Sequence, residues 1–520
     1  MLPFLALALC SLVGTAFSST STPDFKSRCE ALSGGVDVRG YENISFSEGT
    51  NSTCTFPNPV TAVDLCRVGI RFSTSDSSEV YMEAWLPEKW NSRLLSIGTG
   101  GLAGCIFFPE LAYVTKYGFA GVSGNMGHNG TSGGAFLNQP EVFIDFAWRA
   151  LYGTTVISKS IAKQFYGTAH KKSYFIGCSQ GGRQGFKAAQ SNPELFDGIV
   201  VGAPGLRLAG LFQYIPRWLR TMGTDINNLT VSIDKWAAIQ NETLRQCDHL
   251  DGAVDNIVED SRSCKPDFTK LRCGTQGLSG PCLTPVDMSL VSQQFESWTI
   301  NGTLIYTGMT HDGNELAHAT TLTGPEFRSY ALEWPRFVSQ QDPTWTLDQW
   351  TPAQARFAVE QNLFNFNTLD GDLKAVRKRG AKIIHYHGQV DPAIDSTVSD
   401  AYYDHVSRTM RASPQQLDDF YRYFRISGLG HCNGGPGASS IGQSAFSLPA
   451  SDDAKDNVLM QIVDWVEKGK APDTLRGSKF VDGDVTKGVE YKRRHCRYPL
   501  KNVYTGEGDG KDEKGWKCVV

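Results

Sequence analysis

Short apolar runs bounded by turn residues recur along the first part of the chain: VYMEAWL, RLLSIGTGG, GFAGVSGN, SYFIGC and GIVVGAP. Segments with helical periodicity separate them, such as FIDFAWRALYGTTVISKSIAKQFY (143–166). Alternation of strand and helix predicts an α/β fold, a mostly parallel sheet with helices on both faces. The rhythm stops after GAPGL and resumes with AKIIHYHGQVDP (381–392), YRYFRISGLGHC (421–432) and the helical AKDNVLMQIVDWVEKG (454–469). The pattern predicts one catalytic α/β domain over 19–205 and 376–520, interrupted by an inserted lid over 206–375 with four cysteines and many polar turns.

The first residues, MLPFLALALCSLVGTAFSS, form an apolar run too short to span a bilayer comfortably. Small residues at Ala16 and Ser18 suit a signal peptidase, so 1–18 reads as a leader and the mature protein is expected to be secreted. Of 13 cysteines, Cys10 leaves with the leader; an even set remains, as full pairing in an oxidising compartment requires. No CxxC spacing points to zinc. Sequons stand at Asn43, Asn51, Asn129, Asn228, Asn241 and Asn301, and beside a leader they are expected to carry glycans. The net charge of −4 gives no electrostatic reason to expect nucleic acid or an anionic membrane as partner.

The chemistry concentrates in SYFIGCSQGGRQG. An apolar strand, Gly177-Cys178-Ser179-Gln180-Gly181 and then a helical pattern make the strand–turn–helix context that exposes a nucleophile, here Ser179. An ordinary β–α turn with a serine cap is the plainer alternative. A serine nucleophile needs a base oriented by an acid, in the order Ser, acid, His on a hydrolase sheet. His431, in the glycine-rich loop GLGHCNGG after a strand, is the expected base. Asp391 in HGQVDP is the expected acid, with Asp395 as runner-up. His385 and His387 lie within a strand and read as packing residues; His495 is in the tail, and His128 precedes the serine. The oxyanion is expected on the N–H groups of Gln180 and of Gly101 in SIGTGGLAG.

These stretches together resemble the tannase and feruloyl esterase family: GTGGLAG, GCSQGGRQG, CDHLDGAVDNIV, YHGQVDP and ISGLGHCNGG. The likeness runs from about residue 29 to Cys518. Gln180 stands where a Thr is common, and Val258 where a second Ile is usual. The resemblance implies an α/β-hydrolase domain with a lid, hydrolysing esters of aromatic acids through Ser179, His431 and Asp391. It favours a feruloyl (hydroxycinnamoyl) esterase acting on small aromatic-acid esters, including those linked to plant polysaccharide. A tannase on galloyl esters, an aromatic-acid acyltransferase and a non-catalytic binding protein of the same fold are the alternatives. The family also implies structural calcium in the acidic loop, on the Asp248, Asp251 and Asp255 carboxylates and the Ala253 and Ile257 carbonyls. Without the resemblance, a solvated acidic turn would be the simpler reading.

A bridge between Cys178 and Cys432 follows from the proposed chemistry. Ser179 and His431 must approach to about 3 Å for proton transfer, which brings their chain neighbours within bonding reach. Local pairs are expected at Cys247–Cys264, closing the acidic loop, at Cys273–Cys282 and at Cys496–Cys518. Among Cys29, Cys54, Cys66 and Cys105 the sequence leaves the pairing open.

Overall fold

Nine strands pair into one twisted sheet whose members come from both ends of the chain. The structure, a computed structural model, describes residues 24–32, 45–47, 54, 61–508 and 510–520. The leader with Cys10 and the sequons at Asn43 and Asn51 lie outside the described residues. The strands are β1 (Ser45–Ser47), β2 (Leu65–Ser75), β3 (Ser78–Pro87), β4 (Arg93–Ile97), β5 (Ala120–Gly124), β6 (Lys172–Cys178), β7 (Gly198–Gly202), β8 (Lys382–Gly388) and β9 (Tyr421–Ile426). Their spatial order is β1-β2-β3-β5-β4-β6-β7-β8-β9. Pairing is antiparallel from β1 to β5 and parallel from β5 onward, with Cys178 opposite Gly202 and His387 opposite Arg425. This is the α/β-hydrolase arrangement.

Helices cover both faces. Helices α1 (Phe108–Lys116) and α5 (Val458–Lys468) pack on one side; α2 (Ala150–Tyr166) and α3 (Gln180–Ser191) pack on the other. The predicted helix over 143–166 is interrupted by a π-helical turn at Asp145–Arg149. The cause is Asp145, fully buried, whose carboxylate accepts from Thr74 (2.5 Å), Ser78 (2.6 Å) and Arg149 (2.6 Å). Between β7 and β8 the chain leaves the sheet to build the lid, largely helical with one small hairpin. The lid helix α4 (Pro325–Trp334) reaches back over the catalytic face.

Six disulfides tie the described chain together. The pairs expected at Cys178–Cys432, Cys247–Cys264, Cys273–Cys282 and Cys496–Cys518 are present. The undecided four join as Cys29–Cys66 and Cys54–Cys105. Among the described residues no helix is long and apolar enough to cross a membrane. Asn129, Asn228, Asn241 and Asn301 are all exposed.

Candidate active site

The carboxyl ends of β4, β6, β8 and β9 deliver the predicted residues to one place. Ser179 follows β6 and precedes α3 with φ 62° and ψ −122°. A non-glycine residue pays about 1–3 kcal/mol for such a conformation, and the surroundings impose it. Its N–H donates to the Gly202 carbonyl at 3.0 Å, and its own carbonyl accepts from Arg183 and Gly205, each at 3.0 Å. Glycine is required beside it: a Cβ on Gly177 would lie 2.8 Å from the Gly181 carbonyl group. Arg183, fully buried, then locks the first turn of α3. It donates to the Gln180 side chain (2.7 Å), to the Phe366 carbonyl of the lid (3.1 Å) and to the Ala147 carbonyl of the π-turn (2.8 Å).

Asp391 stands in the turn after β8. Its Oδ1 accepts the N–H groups of Ala393 (2.8 Å) and Ile394 (2.9 Å). Its Oδ2 accepts from His431 Nδ1 at 2.8 Å and from His387 Nε2 at 3.2 Å. Burial pushes this carboxyl up, but the facing His431 charge and the hydrogen bonds from His387 and His431 prevail and hold it below its usual range. Burial likewise lowers His431, and the Asp391 carboxylate more than offsets that, leaving the imidazole above its ordinary value. With Nδ1 engaged by Asp391, Nε2 is the nitrogen left for a nucleophile. Asp395 is turned elsewhere, accepting from Thr397 and from the Thr310 hydroxyl at 3.0 Å.

His387, expected from the sequence only to pack, also hydrogen-bonds the acid. Its Nδ1 accepts from Ser399 at 2.6 Å, which places the proton on Nε2, aimed at Asp391 and the Ile394 carbonyl (2.9 Å). His128 supports the loop that carries Gly101, bonding the neighbouring Leu102 carbonyl at 2.8 Å.

Ser179, Gln180, Gly101 and His431 line one mostly apolar cavity of about 610 Å³. Gln180 is the first residue of α3, where a backbone N–H has no intrahelical acceptor. Gly101 has φ 53°, and a Cβ there would collide with the Tyr330 hydroxyl of α4. Tyr330 therefore packs directly on the Gly101 loop, while donating to Glu326 at 2.6 Å. The sequence offered no signal for that contact. Cys178 and Cys432, with Cα atoms 5.9 Å apart, join the elbow to the His431 loop. The site can thus present a serine, an imidazole backed by a carboxylate, and two amides to a bound ester.

The acidic loop lies outside this cavity. Asp248 Oδ1 accepts the N–H groups of Asp255 (3.2 Å) and Ile257 (3.1 Å), and Asp255 meets Arg493 at 2.5 Å. Among the described residues no three His, Cys, Asp or Glu side chains already converge as a metal centre. One atom nevertheless fits a hard cation: Asp251 Oδ2 is buried without a hydrogen-bond partner. Burial, with repulsion from Glu259 and Asp255, pushes the Asp251 carboxyl up to about 7. The loop also braces the strand leading to His431, through Ser427 to Glu259 (2.7 Å) and Arg425 to Asp260 (2.7 Å).

Comparison with known proteins places this geometry among relatives. The family model described as tannase and feruloyl esterase matches residues 65–335 and 338–519. The chain is 42% identical over 531 residues to a probable feruloyl esterase B-1 of Aspergillus fumigatus, covering 99% of each. The crystal structure of feruloyl esterase B from Aspergillus oryzae superposes with a TM-score of 0.87 at 39% identity, covering 95% of this chain and 100% of that one. A tannin acyl hydrolase from Aspergillus niger shares the fold, with a TM-score of 0.72 at 20% identity over 95% of this chain and 94% of that one.

Proposed function

The chain belongs to the tannase and feruloyl esterase family, and from that footing we propose that it is a secreted serine esterase cleaving hydroxycinnamoyl (ferulic-type) esters, including those carried by plant cell-wall polysaccharide. It is a carboxylic ester hydrolase. The observation that carries the mechanism is the Asp391–His431 hydrogen bond beside the strained Ser179 in one apolar cavity. Likeness to feruloyl esterases over the full chain length supports the choice of acyl group.

His431 Nε2 takes the Ser179 hydroxyl proton as Oγ attacks the ester carbonyl. The N–H groups of Gln180 and Gly101 hold the developing oxyanion, each such donor lowering the barrier by about 3 kcal/mol. The imidazolium, stabilised by Asp391, gives its proton to the leaving alcohol oxygen as the C–O bond breaks. Water then attacks the acyl-enzyme, losing its proton to His431, and the proton returns to Ser179 as the free acid departs.

Calcium belongs to the same proposal as a structural ion, on Asp248, Asp251, Asp255 and the Ala253 and Ile257 carbonyls. The orphaned Asp251 oxygen supports it. A bound ion there would neutralise the clustered carboxylates. Glycans are proposed at the exposed sequons Asn129, Asn228, Asn241 and Asn301, and at Asn43 and Asn51.

Rates on methyl ferulate and methyl gallate, measured side by side, test the reading. Methyl ferulate should be preferred, and Ser179→Ala should abolish turnover by several orders of magnitude without loss of fold. Preference for gallate, or substantial activity in the serine variant, would overturn it.

A further inference from the structure

One end of the catalytic cavity is walled by α1, the ends of β4 and β6, and the loop after His431. Ile97, Phe107, Ile176 and Phe446 supply apolar surface there, and Glu110 faces in among them. Glu110 is only 9% exposed. Among the described residues one donor reaches it, the Ala445 N–H, shared at 3.1 Å by both carboxylate oxygens. A carboxylate offers about four acceptor positions, so most of its capacity is unused. Neighbouring polar side chains make other bonds. Gln443 donates to the Cys432 and Ser439 carbonyls and accepts from Ile441. Tyr113 donates to the Gly442 carbonyl, and the Ser444 hydroxyl accepts from Phe446.

The lid end of the cavity is different. Glu326 there already accepts from Tyr330, and Glu333 accepts from Gly133 (2.7 Å) and Ser329 (2.8 Å). Of the three glutamates lining the cavity Glu110 is the buried one, with a single donor, and burial pushes it up to about 7. An acidic group set in an apolar wall thus keeps acceptor capacity that the protein does not fill.

We propose that this end of the cavity is the ring subsite for the acyl group, in which Glu110 accepts a hydrogen bond from a phenolic hydroxyl of the substrate. The inference rests on the hydroxycinnamoyl reading and deepens it. The aliphatic and aromatic walls take the flat ring, and the carboxylate marks its hydroxylated edge. A phenol is a stronger donor than an aliphatic alcohol, and a donor placed there favours the carboxylate over the neutral acid that burial promotes. A ring without the hydroxyl would leave the carboxylate buried and unpaired, which is how a polar group in a pocket rejects an isostere. The same side chain also holds the 441–446 loop through Ala445, and the test separates the two roles.

The experiment measures kcat/KM for methyl 4-hydroxycinnamate and for methyl cinnamate in the wild-type protein, Glu110→Gln and Glu110→Leu, with circular dichroism as the check on folding. The wild-type protein should prefer the hydroxylated ester by about 10- to 100-fold, as a hydrogen bond to a charged group allows. Glu110→Leu should cut that ratio at least tenfold. Glu110→Gln, whose amide oxygen still accepts, should fall between, and it decides the matter if the leucine variant does not fold. A wild-type ratio near one overturns the subsite and leaves the esterase reading standing. A ratio unchanged in the folded variants, with both rates falling together, also overturns it and reduces Glu110 to a loop anchor. Failure of the wild-type protein on both esters overturns the subsite together with the hydroxycinnamoyl reading.

Discussion

Two buried aspartates sit in turns that are locally alike. In Asp391-Pro392-Ala393 and in Asp251-Gly252-Ala253, one carboxylate oxygen accepts the N–H of the alanine two residues on, at 2.8 Å in both. The second oxygens differ. That of Asp391 receives two imidazoles and the carboxyl is held down; that of Asp251 receives no donor and the carboxyl is pushed up to about 7. Residue type, burial and turn are shared, so the partner across the fold sets the charge. One aspartate is locked between two imidazoles, and the other has no partner for its second oxygen.

The strongest way to break the contrast is to neutralise Asp391. Asp391→Asn should lower kcat/KM by about 10⁴-fold, because the imidazole loses its orienting charge and its tautomer. The pH profile sharpens this. His431 works as a base only when neutral, and Asp391 raises it above the ordinary 6.5, so wild-type kcat/KM should fall as pH drops through a limb above that value. The residual activity of Asp391→Asn should keep its limb at lower pH; an unmoved limb would assign the titration to another group.

A smaller loss is expected from the bridge that positions the base. The double variant Cys178→Ala with Cys432→Ala should lose roughly 10²-fold in kcat with less change in KM, since displacement of catalytic groups is costly in rate. An equal loss in both parameters would point to general loosening of the cavity. The smallest effect belongs to the acidic loop. Calcium should be found in the purified protein, and a chelator should lower Tm by roughly 2–5 °C with little change in low-temperature turnover. Asp251→Asn should shrink that Tm shift, and metal analysis finding no calcium would end the proposal.

The sheet and the elbow were legible in the sequence because each rests on a local pattern: apolar runs, glycines around Ser179, and helix after turn. The Asp391–His431 pair was legible through chain order alone. His387 was half seen. Strand alternation places it inside β8, but its bond to Asp391 depends on the next turn folding back over the strand end. Tyr330 and Glu110 were not seen, since nothing in GPEFRSY or FFPELAY tells which wall of a cavity they form. Strand β2 was overlooked although Val68, Ile70 and Phe72 alternate with Arg67, Gly69 and Arg71. Arg67 of this strand pairs with the buried Glu83 of the neighbouring one. The pairs Cys29–Cys66 and Cys54–Cys105 stayed open because four cysteines allow three connectivities.

The Cys178–Cys432 bridge also fixes an order of events during synthesis. Its partners are 254 residues apart, whereas those of Cys247–Cys264 and Cys273–Cys282 are separated by 17 and 9. The two short clasps can close as soon as they leave the ribosome. At about 5–20 residues per second, Cys178 waits on the order of ten seconds or more for its partner to be translated. Throughout that interval its native partner has yet to be made. The lid therefore acquires its staples before the catalytic centre does, and the nascent chain has no fastened active site until nearly all of it has been made.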